Sequence, residues 1–267
     1  MKNNKTGILF ALAILFSILS AYFIYAAPAN VPQGPDAVSV LSSTRYPDRN
    51  ESVVVQAEAG NVSELLINDT RSTQAWQGYY GNISGTITLD DASNYTLYSW
   101  SAASPTGEIY ATNVSTGITW ANIRCVNMSA RANLTDGQTM NKTTLENDFG
   151  INATDRDGFN ETFYQVYSCG GGGEAACFKV GGVTVPDDTC HMATTYVDEN
   201  PQSTTFKEVL MTDNSTSALI FVTLLESDSN GYKSGSDLHD FQMLVAENGH
   251  PGYETSATNY CFYVELA

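Results

Sequence analysis

The sequence predicts an all-β fold: an immunoglobulin-like β-sandwich, either one large sandwich or two in tandem, behind an N-terminal hydrophobic helix. Three observations carry that expectation. Short β-branched and aromatic runs recur along the chain, separated by Gly, Asn, Asp and Ser. Some of them alternate apolar with polar residues, as half-buried strands do. Charged residues make up only 15% of the chain, and the polar remainder is mostly Ser, Thr and Asn, which suits a β-rich exported protein better than a disordered acidic one.

The first element is Gly7–Ala27, an uncharged apolar run. As a helix it is about 30 Å long, the thickness of a bilayer core. Lys2 and Lys5 precede it and no acid does, so the N-terminus stays cytoplasmic and the rest is exported. The run is longer than an ordinary signal core, Tyr25-Ala26-Ala27-Pro28 is a poor cleavage context, and Thr6 between Lys5 and Gly7 rules out a prepilin-type junction. Residues 1–27 are therefore a signal peptide or a membrane anchor, with a buried core helix as the ordinary alternative. Residues 28–50, rich in Pro, read as an extended linker.

Strand signals then follow in order. Val53–Ala57 and Val62–Ile67 are apolar runs split by Ala59-Gly60. In Gly81–Leu89, Ile83, Gly85, Ile87 and Leu89 alternate with Asn82, Ser84, Thr86 and Thr88. Tyr95–Trp100, Ile109–Thr112 and Ile118–Ile123 complete a first β region over 51–125. An irregular connector spans 126–161, where Thr143 and Glu146 have capping-box spacing and predict a short helix over Thr144–Phe149. A second β region, 162–267, contains Thr162–Tyr167, Cys177–Val185, Cys190–Val197, Thr205–Met211, Ala218–Leu225, Asp240–Glu247 and Asn259–Leu266.

The net charge is −17, and two of the twelve basic residues lie in the leader. Such a chain does not bind nucleic acid, whose phosphates need Lys and Arg. The acidity serves solubility or, if carboxylates cluster, a divalent cation. Beyond Ala27 there are twelve Asn-x-Ser/Thr sites, at Asn50, Asn61, Asn68, Asn82, Asn94, Asn113, Asn127, Asn133, Asn141, Asn152, Asn160 and Asn214. Chance placement would give about four. Turns also bring these residues together, but the excess points to glycosylation of the exported part. It thins after Asn160, leaving the C-terminal third less coated.

Export permits disulfides. Cys169 and Cys177 bracket Gly170–Gly173, a short flexible loop that closes readily, and are expected to pair. Near the C-terminus Tyr260, Phe262, Val264 and Leu266 form an apolar face opposite Asn259, Cys261, Tyr263 and Glu265, so Cys261 is expected to point outward as the free thiol. Cys125 and Cys190 remain as the second pair. An outward thiol also raises an intermolecular disulfide. Cys190-His191 lacks the first Cys of a haem-attachment motif, and His191, His239 and His250 have no zinc spacing.

The stretch from Glu226 to Asp237 follows the twelve-residue calcium-loop spacing, with Glu226, Asp228, Asn230, Ser234 and Asp237 as oxygen ligands, Gly231 at the sharp turn and the Tyr232 carbonyl following it. Lys233 sits at the usual apolar position, and strands rather than helices flank the loop. An acidic hairpin tip on Asn230-Gly231 is the plain alternative. Calcium is the one cofactor the sequence raises. Trp76, Trp100 and Trp120 could stack on sugars; core packing is their ordinary role. No G-x-S-x-G, H-E-x-x-H, phosphate-loop or dinucleotide motif is present. Carboxylate pairs for glycoside hydrolysis have no fixed spacing and stay open.

Two stretches, Ala75–Leu89 (AWQGYYGNISGTITL, continuing to Trp100) and Asp240–Val245 (DFQMLV) together with Phe262–Leu266 (FYVEL), resemble exported β-rich surface proteins of uncultivated small-genome archaea. Those proteins are uncharacterised, so the resemblance implies a cell-surface setting and carries no site residue. Three functional expectations follow. The first is a structural or adhesive surface glycoprotein without catalysis, secreted or on the outer membrane face, its leader at least transiently in the membrane, and partnering other surface proteins or itself. The others are a carbohydrate-binding module whose partners are glycans, and an exported hydrolase.

Overall fold

Two seven-residue strands of the second half, Lys207–Asp213 and Ala218–Leu224, pair with each other and build the centre of the molecule. The computed structural model describes residues 31–47, 52–101, 106–126, 128, 140–152, 154–170, 176–235, 237–247 and 257–266. Its strands are β1 (Trp76–Gly81), β2 (Thr86–Asp90), β3 (Thr96–Ser101), β4 (Gly107–Thr112), β5 (Ile123–Cys125), β6 (Gln165–Val166), β7 (Ala176–Val180), β8 (Val183–Pro186), β9 (His191–Thr194), β10 (Lys207–Asp213), β11 (Ala218–Leu224), β12 (Ser229–Asn230), β13 (Leu238–His239), β14 (Phe241–Ala246) and β15 (Cys261–Leu266). Two short helices, α1 (Lys142–Asp148) and α2 (Phe159–Thr162), lie between β5 and β6. The Gly7–Ala27 segment lies outside the described residues, among which no helix is long and apolar enough to cross a membrane.

The main sheet is antiparallel in the order β15-β4-β11-β10-β9-β6. β5 shares with β9 one edge of β10: β9 pairs with Lys207–Val209 and β5 with Met211–Asp213. Strands from both sides of the 126–161 connector thus lie in one sheet. β10 and β11 show no exposed alternation, because both faces of the sheet are covered. On the first face Ile109, Leu210, Leu219 and Phe221 share a core with Met243 and Val245 of the β1–β14 ribbon and with Leu145, Phe159 and Phe163 of the helical segment. On the second face Tyr110, Val209, Met211, Ile220 and Val222 share a core with Phe178, Val180 and Val185 of the β7–β8 hairpin. The result is mostly β and sandwich-like in its layering.

Local chemistry explains several elements. β10 and β11 meet in a turn that the Asp213 carboxylate holds, accepting from the Ser215 N–H and hydroxyl, the Thr216 hydroxyl and the Thr119 N–H. β7 and β8 meet at Gly181 and Gly182, both at positive φ (53° and 90°), the conformation of a tight two-residue hairpin turn. Asn141 caps α1, its side chain accepting from the Thr144 N–H at 3.0 Å. Glu146 does not close the expected capping box on Thr143; it faces Lys142 at 3.4 Å.

Several expectations differ from the structure. Gly81–Leu89 is not one strand, since β1 ends at Gly81 and β2 begins at Thr86, and Cys177–Val185 is the β7–β8 hairpin, broken at Gly181-Gly182. Val53–Ala57 and Val62–Ile67 belong to no strand among the described residues, for their apolar side chains have no sheet of this chain to lie on. Thr162–Tyr167 begins as the end of α2, because one helical turn places Phe159 and Phe163 together against Trp76. Ile118–Ile123 includes a 3-10 turn at Trp120–Asn122 before β5. Cys261 is half-buried rather than outward. Both faces of β15 pack, Phe262 against Tyr79 and Tyr263 against Trp120, so alternation along it does not separate inside from outside.

Candidate functional site

The densest chemistry lies where β4 and β15 meet the β7–β8 turn. Glu108 and Glu265 stand directly opposite each other in the antiparallel register, which puts their Cβ atoms about 5 Å apart. Tyr110, two residues along β4 on the same face, is fully buried and donates its hydroxyl to Glu265 Oε2 at 2.9 Å. The Gly181 N–H donates to the same oxygen at 3.0 Å. Trp120 packs edge-on against Tyr110 and Tyr263, with ring centroids 5.2 and 5.4 Å away.

Glu108 is 8% exposed. Burial, then the negative charge of Glu265, pushes its carboxyl up to about 8, against a hydrogen bond with Tyr110 that pulls it down. Burial, then Glu108 and Glu265, drives the Tyr110 hydroxyl far above its ordinary range, so it stays a donor. At neutral pH Glu108 is held as the carboxylic acid, and beside it Glu265 Oε2 accepts from a phenol and a backbone N–H. Two facing carboxyls are a pattern that acid–base pairs use. Here the protonated member is nearly enclosed, and the partners of Glu265 belong to the second core. The arrangement is suited to fastening β15 and the β7–β8 turn to the sheet.

A second carboxyl is enclosed on the first face. Glu208 of β10 is fully buried; its Oε2 accepts the Leu244 N–H at 2.7 Å and joins the main sheet to β14. Oε1 has no hydrogen-bond partner. Burial raises this carboxyl well above its usual range, against the hydrogen bond from the Leu244 N–H that lowers it. Neither Glu108 nor Glu208 is marked by a motif, although a Glu leading into an apolar run, as in Glu208-Val209-Leu210-Met211, is a readable signal.

The Glu226–Asp237 stretch is a hairpin in which β12 and β13 pair. Its candidate ligands turn to separate partners. Glu226 accepts the Phe206 N–H, Asn230 donates to Asp198, the Tyr232 N–H donates to Gln242, and Asp237 faces Lys233 at 3.7 Å. Asp228 has positive φ (44°) and donates its N–H to the buried Asp240. His239 lies at the foot of the hairpin against Tyr80, ring centroids 4.6 Å apart; its Nε2 lacks a partner, and burial lowers its pKa, so it is neutral at pH 7.

Among the described residues, the group bringing three metal-ligand side chains together is Cys169, Cys177 and Asp187. Its two sulfurs are bonded to each other at 2.07 Å, and Asp187 accepts the Cys169 N–H at 2.8 Å, so only a reduced form would offer metal ligands. The other disulfide joins Cys125 and Cys190 across 65 residues, and Cys261 is free. His191 bonds the Phe163 carbonyl through Nδ1 at 2.9 Å.

The three tryptophans lie in three places. Trp76 belongs to the first core, against Phe159, Phe163 and Phe221, and donates to the Asp157 carbonyl. Trp120 is in the second. Trp100 alone is exposed, 52% accessible, beside Tyr98 on the β2–β3 ribbon. Of the glycosylation-type asparagines, Asn61, Asn68, Asn82, Asn94, Asn113, Asn152 and Asn160 are exposed, and Asn141 and Asn214 are half-buried. Asn50, Asn127 and Asn133 lie outside the described residues. Comparison with family models, curated proteins and solved structures finds no match for this chain.

Proposed function

We propose that this chain is an exported cell-surface glycoprotein with a structural or adhesive role, standing outside the membrane that its leader enters. The observation that carries the reading is the placement of the Asn-x-Ser/Thr sites: none of the nine described ones is buried, in a chain with three times the number that chance supplies. The two disulfides favour an oxidising compartment. The layered sheets support an immunoglobulin-like arrangement as the finer reading of the fold.

A carbohydrate-binding role rests on the exposed pair Tyr98 and Trp100, since Trp76 and Trp120 are engaged in packing. A hydrolase reading would draw on the facing pair Glu108 and Glu265, whose partners favour a structural role. Immunogold labelling of native cell envelopes, with glycopeptide mass spectrometry of the purified chain, tests the proposal. It predicts label on the outer surface and glycans on the exposed asparagines. Recovery from the cytosol with unmodified asparagines overturns it.

A further inference from the structure

Among the described residues, two of the apolar surfaces outside both cores are complementary in length and composition. One is the strap Val53–Ile67, in no strand and with a turn at Ala59-Gly60, although its composition is that of two strands. Val53 is 91% and Leu66 89% exposed, and Val54, Val62 and Ile67 are similarly open. The other is the β2–β3 ribbon, which among the described residues pairs with no further strand. Its register sets Ile87 opposite Trp100 and Leu89 opposite Tyr98. These four therefore share one face, and all are exposed. Thr86, Thr88 and Ser99 hold the polar face.

We propose that these are the two halves of one interface between copies of this chain: the strap of one copy adds as a strand to the ribbon of the next. The inference deepens the proposed surface-structural role and rests on it. A two-stranded ribbon is marginal in water and gains a third strand by such addition. Length matches, since the arms Val53–Ala57 and Val62–Ile67 are five and six residues, as are β2 and β3. Charge matches as well. Copies of a chain with net charge −17 repel over most of their surface. Val53–Ala57 carries no charge, Val62–Ile67 only Glu64, and the paired ribbon strands only Asp90.

The Asn-x-Ser/Thr sites leave both surfaces clear. Asn61 sits in the turn between the two arms, where its N–H bonds the Glu58 carbonyl, and Asn68 follows the second arm. Asn94 is in the ribbon's turn. Covering the strap and ribbon side chains removes up to about 1,000 Å² from water, the threshold of a specific interface. Strap and ribbon are different surfaces, so the contact is head-to-tail and each copy can bind two neighbours, giving a ring or a filament.

The test uses the full chain in detergent, with Cys261→Ala to remove thiol exchange. Unlabelled protein carrying p-benzoylphenylalanine in place of Trp100 is mixed with nitrogen-15 protein lacking it, then irradiated. The expected product joins the unlabelled ribbon peptide to a labelled peptide from 53–67. Val54→Glu with Leu66→Glu in the labelled partner should lower its yield at least tenfold. Both sites lie outside the cores, and an unchanged near-ultraviolet circular dichroism spectrum verifies folding. Cross-links confined to one isotopic copy, or formed only with detergent, lipid or glycan, overturn the proposal. Outer-surface immunogold labelling without the mixed-isotope product leaves the surface role standing and removes only this inference.

Discussion

Replacing Glu108 with Gln keeps the shape of the side chain and removes its titration. In the folded protein the carboxyl holds its proton up to about pH 8, whereas the ordinary value is 4.5. Below pH 4.5 both folded and unfolded chains are protonated at this site, and its contribution to stability is fully present. Between 4.5 and 8 the unfolded chain releases the proton and the folded one retains it, so stability falls as pH rises, by about 1.4 kcal/mol per unit. At pH 7 the loss is about 3 kcal/mol, and above pH 8 it levels off near 5 kcal/mol. Glu108→Gln escapes this loss and can still hydrogen-bond to its surroundings. Glu208, also raised, destabilises in the same direction but is present in both proteins, so the difference between them isolates Glu108. The assay is urea unfolding of both proteins at pH 4.5, 7 and 8 under non-reducing conditions. The variant should gain on the native protein by about 3 kcal/mol between pH 4.5 and 7, equivalent to roughly 6–12 °C in melting temperature for a domain of this size. Parallel pH profiles would refute the reasoning.

Glu208→Ala leaves the Leu244 N–H without its acceptor and opens a cavity between β10 and β14; a loss of about 2–4 kcal/mol in urea unfolding is expected. Gly231→Ala drives a methyl group into the His239 ring and against the Asp237 carbonyl; overpacking there should cost about 1–3 kcal/mol and shift the His239 ring resonances. Replacing Cys125 and Cys190 by Ala together should destabilise by about 4 kcal/mol, and the same change at Cys169 and Cys177 by only about 2–3, because the second pair closes a much shorter loop. Thermal melts of the two double variants check the order.

Legibility in the sequence followed the range of the interaction. Ala218–Leu225 and Asp240–Glu247 were readable as strands because their apolar residues are contiguous. Cys169 and Cys177 were open to a proximity argument, being eight residues apart. The interleaving of early and late strands was not readable, since pairing such as that of β1 with β14 has no local signature. The same holds for Glu108 and Glu265: they meet only through the β4–β15 register. Alternation misled at Cys261, where an edge strand packs on both faces. Trp76 and Trp120 were indistinguishable from Trp100 until their neighbours were known.

The Cys125–Cys190 link has a consequence for backbone cleavage. It ties the end of β5 to the residue preceding β9, two segments laid end to end along β10. The intervening loop carries the helices and several sequons. A nick anywhere between the two cysteines leaves both fragments covalently bound, so a cut in that segment does not release either part of the sheet.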